Sequence, residues 1–357
     1  MTTARSSEIL FIKCVKDGIP NRDPLNESDA RRIFGEDDGR ISLSDVSIKR
    51  DVRDYILARF PEGGSNKNNF IFCREEYDSG NKLLGRKSLA NSILNRAGKT
   101  VDSGKAEELE AEETEGEEEV KKGKKGGKKG KIDILQKKRD LLEVAFDARI
   151  FGLVYSVEKE KFNQVGPVQF GWAHSLHPVE TKYVQGTTVM PSSEKDQDGG
   201  KSGDEKEQGT IWRSFILPFA IFAMPGIINA SIAKNTGMTE EDVDLLLKGL
   251  WWGTQQRQAR GRGTQQPLFL MHVEYKDPFF RIGFLEDYIK IKPGWEEWLG
   301  GNPPSSLPDV SLDISPLAEL LGKNKNEISR IRLACNEYFT IEGNIEASQI
   351  LDLKELN

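Results

Sequence analysis

The sequence predicts an α+β protein, a ferredoxin-like sheet decorated by two insertions. Runs of β-forming residues alternate with amphipathic helical stretches in the order β-α-β, insertion, β, insertion, β-α-β. Two polar segments, 105–131 and 191–208, interrupt that order and read as insertions outside the core. Of the 357 residues, 37% are hydrophobic, enough for one sizeable core with satellite elements.

Each element has its own signal. Residues 8–16 (EILFIKCVK) are rich in β-formers and end at Asp17-Gly18, so they form the first strand. Residues 19–40 read as a long loop. Ser44-Asp45 starts a helix whose stripe is Ile48, Val52, Tyr55 and Ile56, and Pro61 with Gly63-Gly64 stops it near Phe60. A short strand is expected over 69–74, then a helix carrying Leu83, Leu84, Leu89 and Ile93 that runs toward Gly98. Residues 132–146 read as an amphipathic helix and 148–157 as a strand. Residues 212–224 are again β-rich. Thr239 with Asp242 forms a capping box for a helix holding Val243, Leu246, Leu247 and Leu250. Residues 267–275 give a last strong strand. The tail 313–339 has a helical pattern (Leu317, Leu320, Leu321, Ile328, Ile331). No repeat with a period of 20–50 residues is found.

Composition narrows the function classes. No apolar run approaches the roughly 20 residues that span a bilayer. Residues 1–8 are polar, with no apolar region of a secretory signal. Of the three cysteines, Cys14 and Cys73 lie in apolar runs and are expected as buried core thiols, with Cys335 distant from both. These features point to a cytoplasmic protein. The net charge of −6 argues superficially against a nucleic-acid partner. That sum is shaped by a glutamate block (107–119) and a lysine-glycine block (121–131), expected as a disordered linker. A local basic face matters more, because charges farther apart than about 8–10 Å are screened at physiological salt.

Two basic clusters stand out. Lys49 and Arg53 share a face of the first helix with Arg50 beside them, near an N-terminus whose dipole favours anions. A solvated face, with Asp51 and Asp54 as partners, explains them too. The second cluster is Arg257, Arg260 and Arg262 among glycines and amides in 255–266, suited to bidentate phosphate contact or to a plain connector. His174, His177 and His272 lack metal-site spacing and are expected in packing or hydrogen-bonding roles. Asp17, Asp23, Glu27 and Asp29 could hold a divalent cation, but turn formation accounts for them more simply. There is no GxSxG, P-loop or GxGxxG. Nothing demands an enzyme, a catalytic residue, a metal or a cofactor.

Four blocks resemble the crRNA-binding backbone subunits of type I CRISPR surveillance (Cascade) complexes, most like the type I-B and I-C branch. They are Asn21-Arg22-Asp23-Pro24; Arg40-Ile41-Ser42 with Ser47-Ile48-Lys49-Arg50-Asp51-Val52-Arg53; Asp147-Ala148-Arg149-Ile150-Phe151-Gly152; and Gly166-Pro167-Val168-Gln169-Phe170-Gly171-Trp172 with His174-Ser175-Leu176. The resemblance implies a hand-like, non-catalytic subunit that stacks in a helical filament along guide crRNA, with target DNA paired to the crRNA and other Cascade subunits as partners, and no membrane. It implies a modified ferredoxin/RRM-like palm (8–60, 147–172, 212–300), a helical fingers insertion (61–146, with the linker 101–131), a β-hairpin thumb (173–211) and a C-terminal helical extension (301–357). By position Arg22, Lys49, Arg50 and Arg53 would contact phosphates. The loop with Arg257, Arg260 and Arg262 would lie over the RNA, and Tyr183, Val184 and Met190 would supply the thumb wedge. The aromatic sheet motif of ordinary RRM proteins is missing, which fits a palm that grips backbone. The other reading is a metal-dependent ribonuclease backbone subunit, as in type III complexes, with Asp23 or Asp29 as its loop aspartate.

Overall fold

The computed structural model describes residues 2–23, 25, 29–33, 39–99, 126–157, 160–187, 211–259, 261–294, 297, 303–347 and 349–351. In chain order the elements are β1 (Ser7–Lys16), β2 (Ser42–Leu43), α1 (Asp45–Arg59), α2 (Arg86–Arg96), α3 (Gly126–Val144) and α4 (Phe146–Phe151). Next come β3 (Gly152–Val157), β4 (Glu160–Val165), β5 (Val168–Phe170), β6 (Ala173–Ser175), β7 (Lys182–Thr187), β8 (Ile211–Ile216) and β9 (Phe219–Ile228). The remainder are α5 (Ala230–Thr236), α6 (Glu240–Gln256), β10 (Thr264–Tyr275), β11 (Lys290–Lys292), β12 (Ser311–Asp313), a helix Ser315–Lys323 (α7), β13 (Ile328–Cys335), β14 (Ile341–Glu342) and β15 (Gln349–Ile350). Helix and strand are mixed along the chain, which makes it α+β. The chain divides into two compact units: Met1–Ser6, Val52–Gln169 and Ile227–Gly249 form unit 1, and Ser7–Asp51, Phe170–Gly226 and Leu250–Asn357 form unit 2.

Unit 2 is organised by the main sheet, whose strands run β15-β13-β10-β1-β9-β6-β2, with β5 also on β9. Strand β1 pairs antiparallel with β10, from Ser7 opposite Glu274 to Lys16 opposite Thr264, with a register shift between Ile12 and Lys13. Nine of its ten residues are buried, which is why it reads as a nearly continuous apolar run. The two charges inside that run are satisfied. Glu8 accepts from Tyr275 Oη and from the backbone N–H groups of Ile282 and Gly283, and Lys13 is described below. The core of this unit includes Leu10, Ile12, Phe269, Met271, Leu312 and Leu317. A small sheet, β11-β12-β14, and the hairpin β7–β8 complete it.

Unit 1 has its own core of Phe70, Ala90, Ile93, Leu141, Ala145 and Tyr155. Its hairpin β3–β4 pairs Gly152 with Val165 through to Val157 with Glu160. One of the four blocks, 147–152, supplies joints of this unit. Asp147 accepts from the N–H groups of Phe72 (2.7 Å) and Cys73 (3.0 Å) and from Arg53 Nε (2.8 Å). Arg149 makes a buried bidentate pair with Asp242 (2.7 and 2.9 Å) and donates to the carbonyls of Asn68, Leu142 and Glu143. Gly152 has φ +83°, and a Cβ there would come within 2.2 Å of Gln164 O. Asp242 also closes the capping box of α6, since Thr239 N donates to Asp242 Oδ2 (2.9 Å) and Asp242 N donates to Thr239 Oγ1 (3.3 Å).

Five expectations need correction. The 69–74 segment makes one bridge, Phe70 to Ala145, instead of a strand, because Asp147 takes the next N–H groups. Cys73 is accordingly exposed, as is Cys335, while Cys14 is buried. The residues 148–151 belong to α4, and the strand begins only at Gly152. The helical tail ends at Lys323; Ile328–Cys335 is β13, paired antiparallel with β10. Helix α3 starts at Gly126, within the stretch read as charged linker, and residues 100–125 and 191–208 lie outside the described residues.

Candidate nucleic-acid interface

The turn after β1 and the turn before β10 in unit 2 are pressed together. A Cβ on Gly18 would lie 2.0 Å from the Gly263 nitrogen, so the two backbones need glycine at this crossing. Ile19 N donates to Gly261 O at 2.9 Å. Gly261, at φ +78°, leaves room for Arg22, whose Nη2 would meet a Cβ there at 2.5 Å. Arg22 Nη2 donates to Gly261 O (3.3 Å) and to Ser214 Oγ on β8 (2.7 Å). Arg22 is thereby fixed between a glycine turn and the β7–β8 hairpin.

The hairpin follows the two-residue alternation of a strand pair. Val184 opposes Ser214 and Gly186 opposes Trp212, so these four share one face. The indole of Trp212 lies on Gly186, where a Cβ would be 2.5 Å from its ring. Arg22, Val184, Trp212, Arg213, Ser214, Ile216 and Gly261 line a concavity of about 390 Å³. No carboxylate is among these lining residues. A cationic, half-apolar hollow with an indole suits a ribose-phosphate strand carrying an unstacked base.

The structure brings together Arg22 and Val184 among the residues singled out from sequence. Tyr183 falls on the opposite hairpin face, 49% exposed and edge-on to Phe215 with centroids 5.5 Å apart. Met190 and Arg260 lie outside the described residues. Trp212, Arg213 and Ser214 were missed. Their available signal was the alternation of Trp212, Ser214 and Ile216 against Lys182, Val184 and Gly186, once the polar segment between them is removed.

Arg257 and Arg262 occupy a different environment in unit 2. Asp51, fully buried, receives Arg257 Nη1 (2.7 Å), Arg262 Nη2 (3.0 Å) and Lys13 Nζ (3.3 Å). Arg262 Nη1 also donates to Pro20 O (2.9 Å), and Lys13 Nζ donates to Gln265 Oε1 (2.9 Å). The loop reading offered both arginines to phosphate. Instead the Arg262 side chain is 8% exposed and that of Arg257 22%. Burial pushes the Lys13 ammonium down to about 8; Asp51 partly offsets this and the two arginines add to it. Lys49 pairs with Asp45 one turn away (2.7 Å) and Arg50 is half-buried. Arg53, in unit 1, joins Asp147 and lies 5.3 Å over the Phe151 ring.

The histidines are bonded within the fold. Nε2 of His177 accepts from Ile221 N (3.1 Å) while Nδ1 donates to Pro178 O (2.8 Å), and burial pushes its pKa down to about 4. His272 faces Ser7 Oγ (2.8 Å) and accepts from Arg332 (3.2 Å), and burial beside Arg332 lowers it well below the ordinary imidazole range. His174 meets Ser42 Oγ at 3.0 Å. Asp23 Oδ1 accepts from Leu25 N (3.0 Å) and Asp29 Oδ1 from Ala30 N (2.6 Å), as turn carboxylates do. Among the described residues no group of three or more His, Cys, Asp and Glu gathers as a metal site would require. No helix among them is long and apolar enough to cross a membrane.

Comparison with known proteins adds an independent line. The family model described as CRISPR-associated protein Cas7 matches residues 5–315. A relative from Haloferax volcanii, described as CRISPR-associated protein Cas7, is 25% identical over 352 residues, covering 93% of this chain and 87% of that protein. A chain of a solved assembly described as "CRISPR RNA-guided surveillance complex, pre-nicking" aligns with a TM-score of 0.52 at 13% identity, covering 97% of this chain and 96% of that one. That structural likeness is one of fold.

Proposed function

Because the chain belongs to the CRISPR-associated protein Cas7 family, we propose that it is a non-catalytic backbone subunit of a type I Cascade complex, of the I-B or a closely related branch. It stacks in copies along guide crRNA, grips the phosphates and displays bases for pairing with target DNA. On this reading 8–60, 147–172 and 212–300 form the palm, 61–146 the fingers, 173–211 the thumb and 301–357 the C-terminal extension. Lys49, Arg50 and Arg53 serve the strand from α1, and β7 belongs to the thumb, paired with β8 at the start of the last palm segment.

The observation that carries this reading is the Arg22–Trp212 concavity. Its lining residues hold two arginines and no carboxylate, Asp29 acting on Arg22 from outside the lining, and its indole lies against Gly186. An unstacked base resting on Trp212 would gain about 1–3 kcal/mol. One subunit can bind weakly alone, because a continuous RNA makes successive subunits act together.

The test is the RNA content of the native assembly, read as the ratio of absorbance at two ultraviolet wavelengths and by gel. Wild-type chain is expected to carry RNA, and the double variant Arg22→Gln, Trp212→Ala to fold and carry much less. RNA undiminished in the double variant would place the contact elsewhere, and an RNA-free wild-type assembly would end the proposal.

A further inference from the structure

Unit 1 holds a second basic hollow, separate from the Arg22–Trp212 concavity. Arg53, Phe72, Cys73, Arg74, Leu84, Arg86 and Asp147 are among the residues around a cavity of about 350 Å³. Its one carboxylate is already occupied, since Asp147 accepts from Phe72 N, Cys73 N and Arg53 Nε. Three arginines therefore line it with one saturated carboxylate, and Arg74 is also paired with Glu76.

Arg74 is the most deeply buried of them. Its side chain is 5% exposed. It pairs with Glu76 through Nη2, yet its buried Nε has no hydrogen-bond partner. Burial, with Arg96 nearby, lowers its guanidinium against the pull of Glu76. A second anion would therefore be favoured here.

The N-terminus of α2 lies at the same rim, because Leu84 and Arg86, which flank its N-cap Gly85, both line the cavity. That N-cap supplies no side-chain hydrogen bond, and the first turn holds no acidic residue. Gly85 has φ −71° and ψ 167°, a conformation any residue adopts. A Cβ added there would meet nothing within 4 Å. Neither the backbone nor packing requires glycine, and the space before the helix's first N–H groups is open.

We propose that this hollow binds a backbone phosphate of a single-stranded nucleic acid, held by Arg74, Arg86 and the first N–H groups of α2. Arg53 is held at the wall by Asp147. The inference rests on the nucleic-acid reading of the chain and adds a site in the other unit. The ligand chemistry is a phosphodiester, whether from a guide RNA or from a target DNA strand.

Cys73 lines the hollow and is exposed, and Cys335 is an exposed reference far along the sequence. The experiment alkylates the full-length chain and follows the two cysteines by peptide mass spectrometry. It is run with and without a short single-stranded RNA, and again with single-stranded DNA, while binding is followed by fluorescence anisotropy. Bound strand is expected to slow alkylation of Cys73 several-fold and leave Cys335 unchanged. Protection by RNA alone, by DNA alone or by both supports the site and identifies its source.

Two variants complete it. Gly85→Asp should fold, because Asp is a favoured N-cap, but its carboxylate takes the place of the phosphate. Arg74→Gln removes the buried guanidinium. Each is expected to abolish Cys73 protection and to lower the slope of log affinity against log salt by about 0.7, one single-strand phosphate contact. Oligonucleotide that binds while Cys73 reacts at its unliganded rate overturns this site and leaves the Arg22 reading standing. Protection that survives in Gly85→Asp likewise overturns it, and a wild-type chain that binds no oligonucleotide overturns both.

Discussion

The Asp51 cluster and the Arg22–Trp212 concavity lie in the same unit and draw on the same glycine-rich turn, yet they treat positive charge in opposite ways. In the cluster Lys13, Arg257 and Arg262 converge on one fully buried carboxylate. In the concavity Arg22 donates to two neutral acceptors, Ser214 Oγ and Gly261 O, with the Asp29 carboxylate acting on it as well. The difference lies less in the arginine than in how its carboxylate is placed: Asp51 is fully buried and shared by three cations, whereas Asp29, beside Arg22, is a half-buried turn residue. A guanidinium shared with two other cations on one buried carboxylate contributes to the fold, whereas one at the wall of an open hollow is placed to meet an incoming phosphate.

The largest expected effect is on the cluster. Asp51→Ala leaves Lys13 and Arg262 buried, and Arg257 partly so, without their anion and should cost about 3–5 kcal/mol of stability, read as a fall in the denaturation midpoint. If that variant kept wild-type stability and lost RNA instead, the contrast between the two regions would break.

A pH profile sharpens the same side. Lys13 titrates near 8 in the folded chain against 10.5 for the free side chain. Between those values the unfolded state binds more protons than the folded state, so stability should rise with pH from about 8 toward 10.5. The increment is at most about 3–4 kcal/mol, because each tenfold change in proton affinity is worth roughly 1.4 kcal/mol. Lys13→Met should flatten that rise in chemical denaturation measured across the range; an identical slope in the variant would remove Lys13 as its source.

The concavity should respond in binding. Trp212→Ala should weaken single-stranded RNA binding by about 1–3 kcal/mol, measured by anisotropy, with the β content seen by circular dichroism unchanged. The smallest effect is expected for Arg22→Gln, which should lower the salt slope of binding by about 0.7. A larger loss of stability than of affinity in either variant would make the concavity a second structural cluster.

Much of the fold was legible where a signal is local. The stripe Ile48, Val52, Tyr55 and Ile56 is buried in α1, and Thr239 with Asp242 caps α6 as its spacing says. Strand β13 was misread because Ile328 and Ile331 are three apart, a helical spacing, while its pairing with β10 is set by residues some 60 positions away. The 69–74 segment has β-like composition, but a distant aspartate, Asp147, claims its donors. The site was legible in part. Arg22 and Val184 were named through a family resemblance, whereas Trp212 is placed by a cross-strand glycine beyond a polar insertion. The Asp51 cluster was hidden for a related reason: its arginines lie more than 200 residues from Asp51.

The backbone crossing of Gly18 and Gly263 has a design consequence. With no side chain between them, the two turns are effectively fused, so lengthening one by a residue would drag the other out of register. Engineering that aims to re-space Arg22 must therefore alter both turns in concert, or graft the pair as one piece.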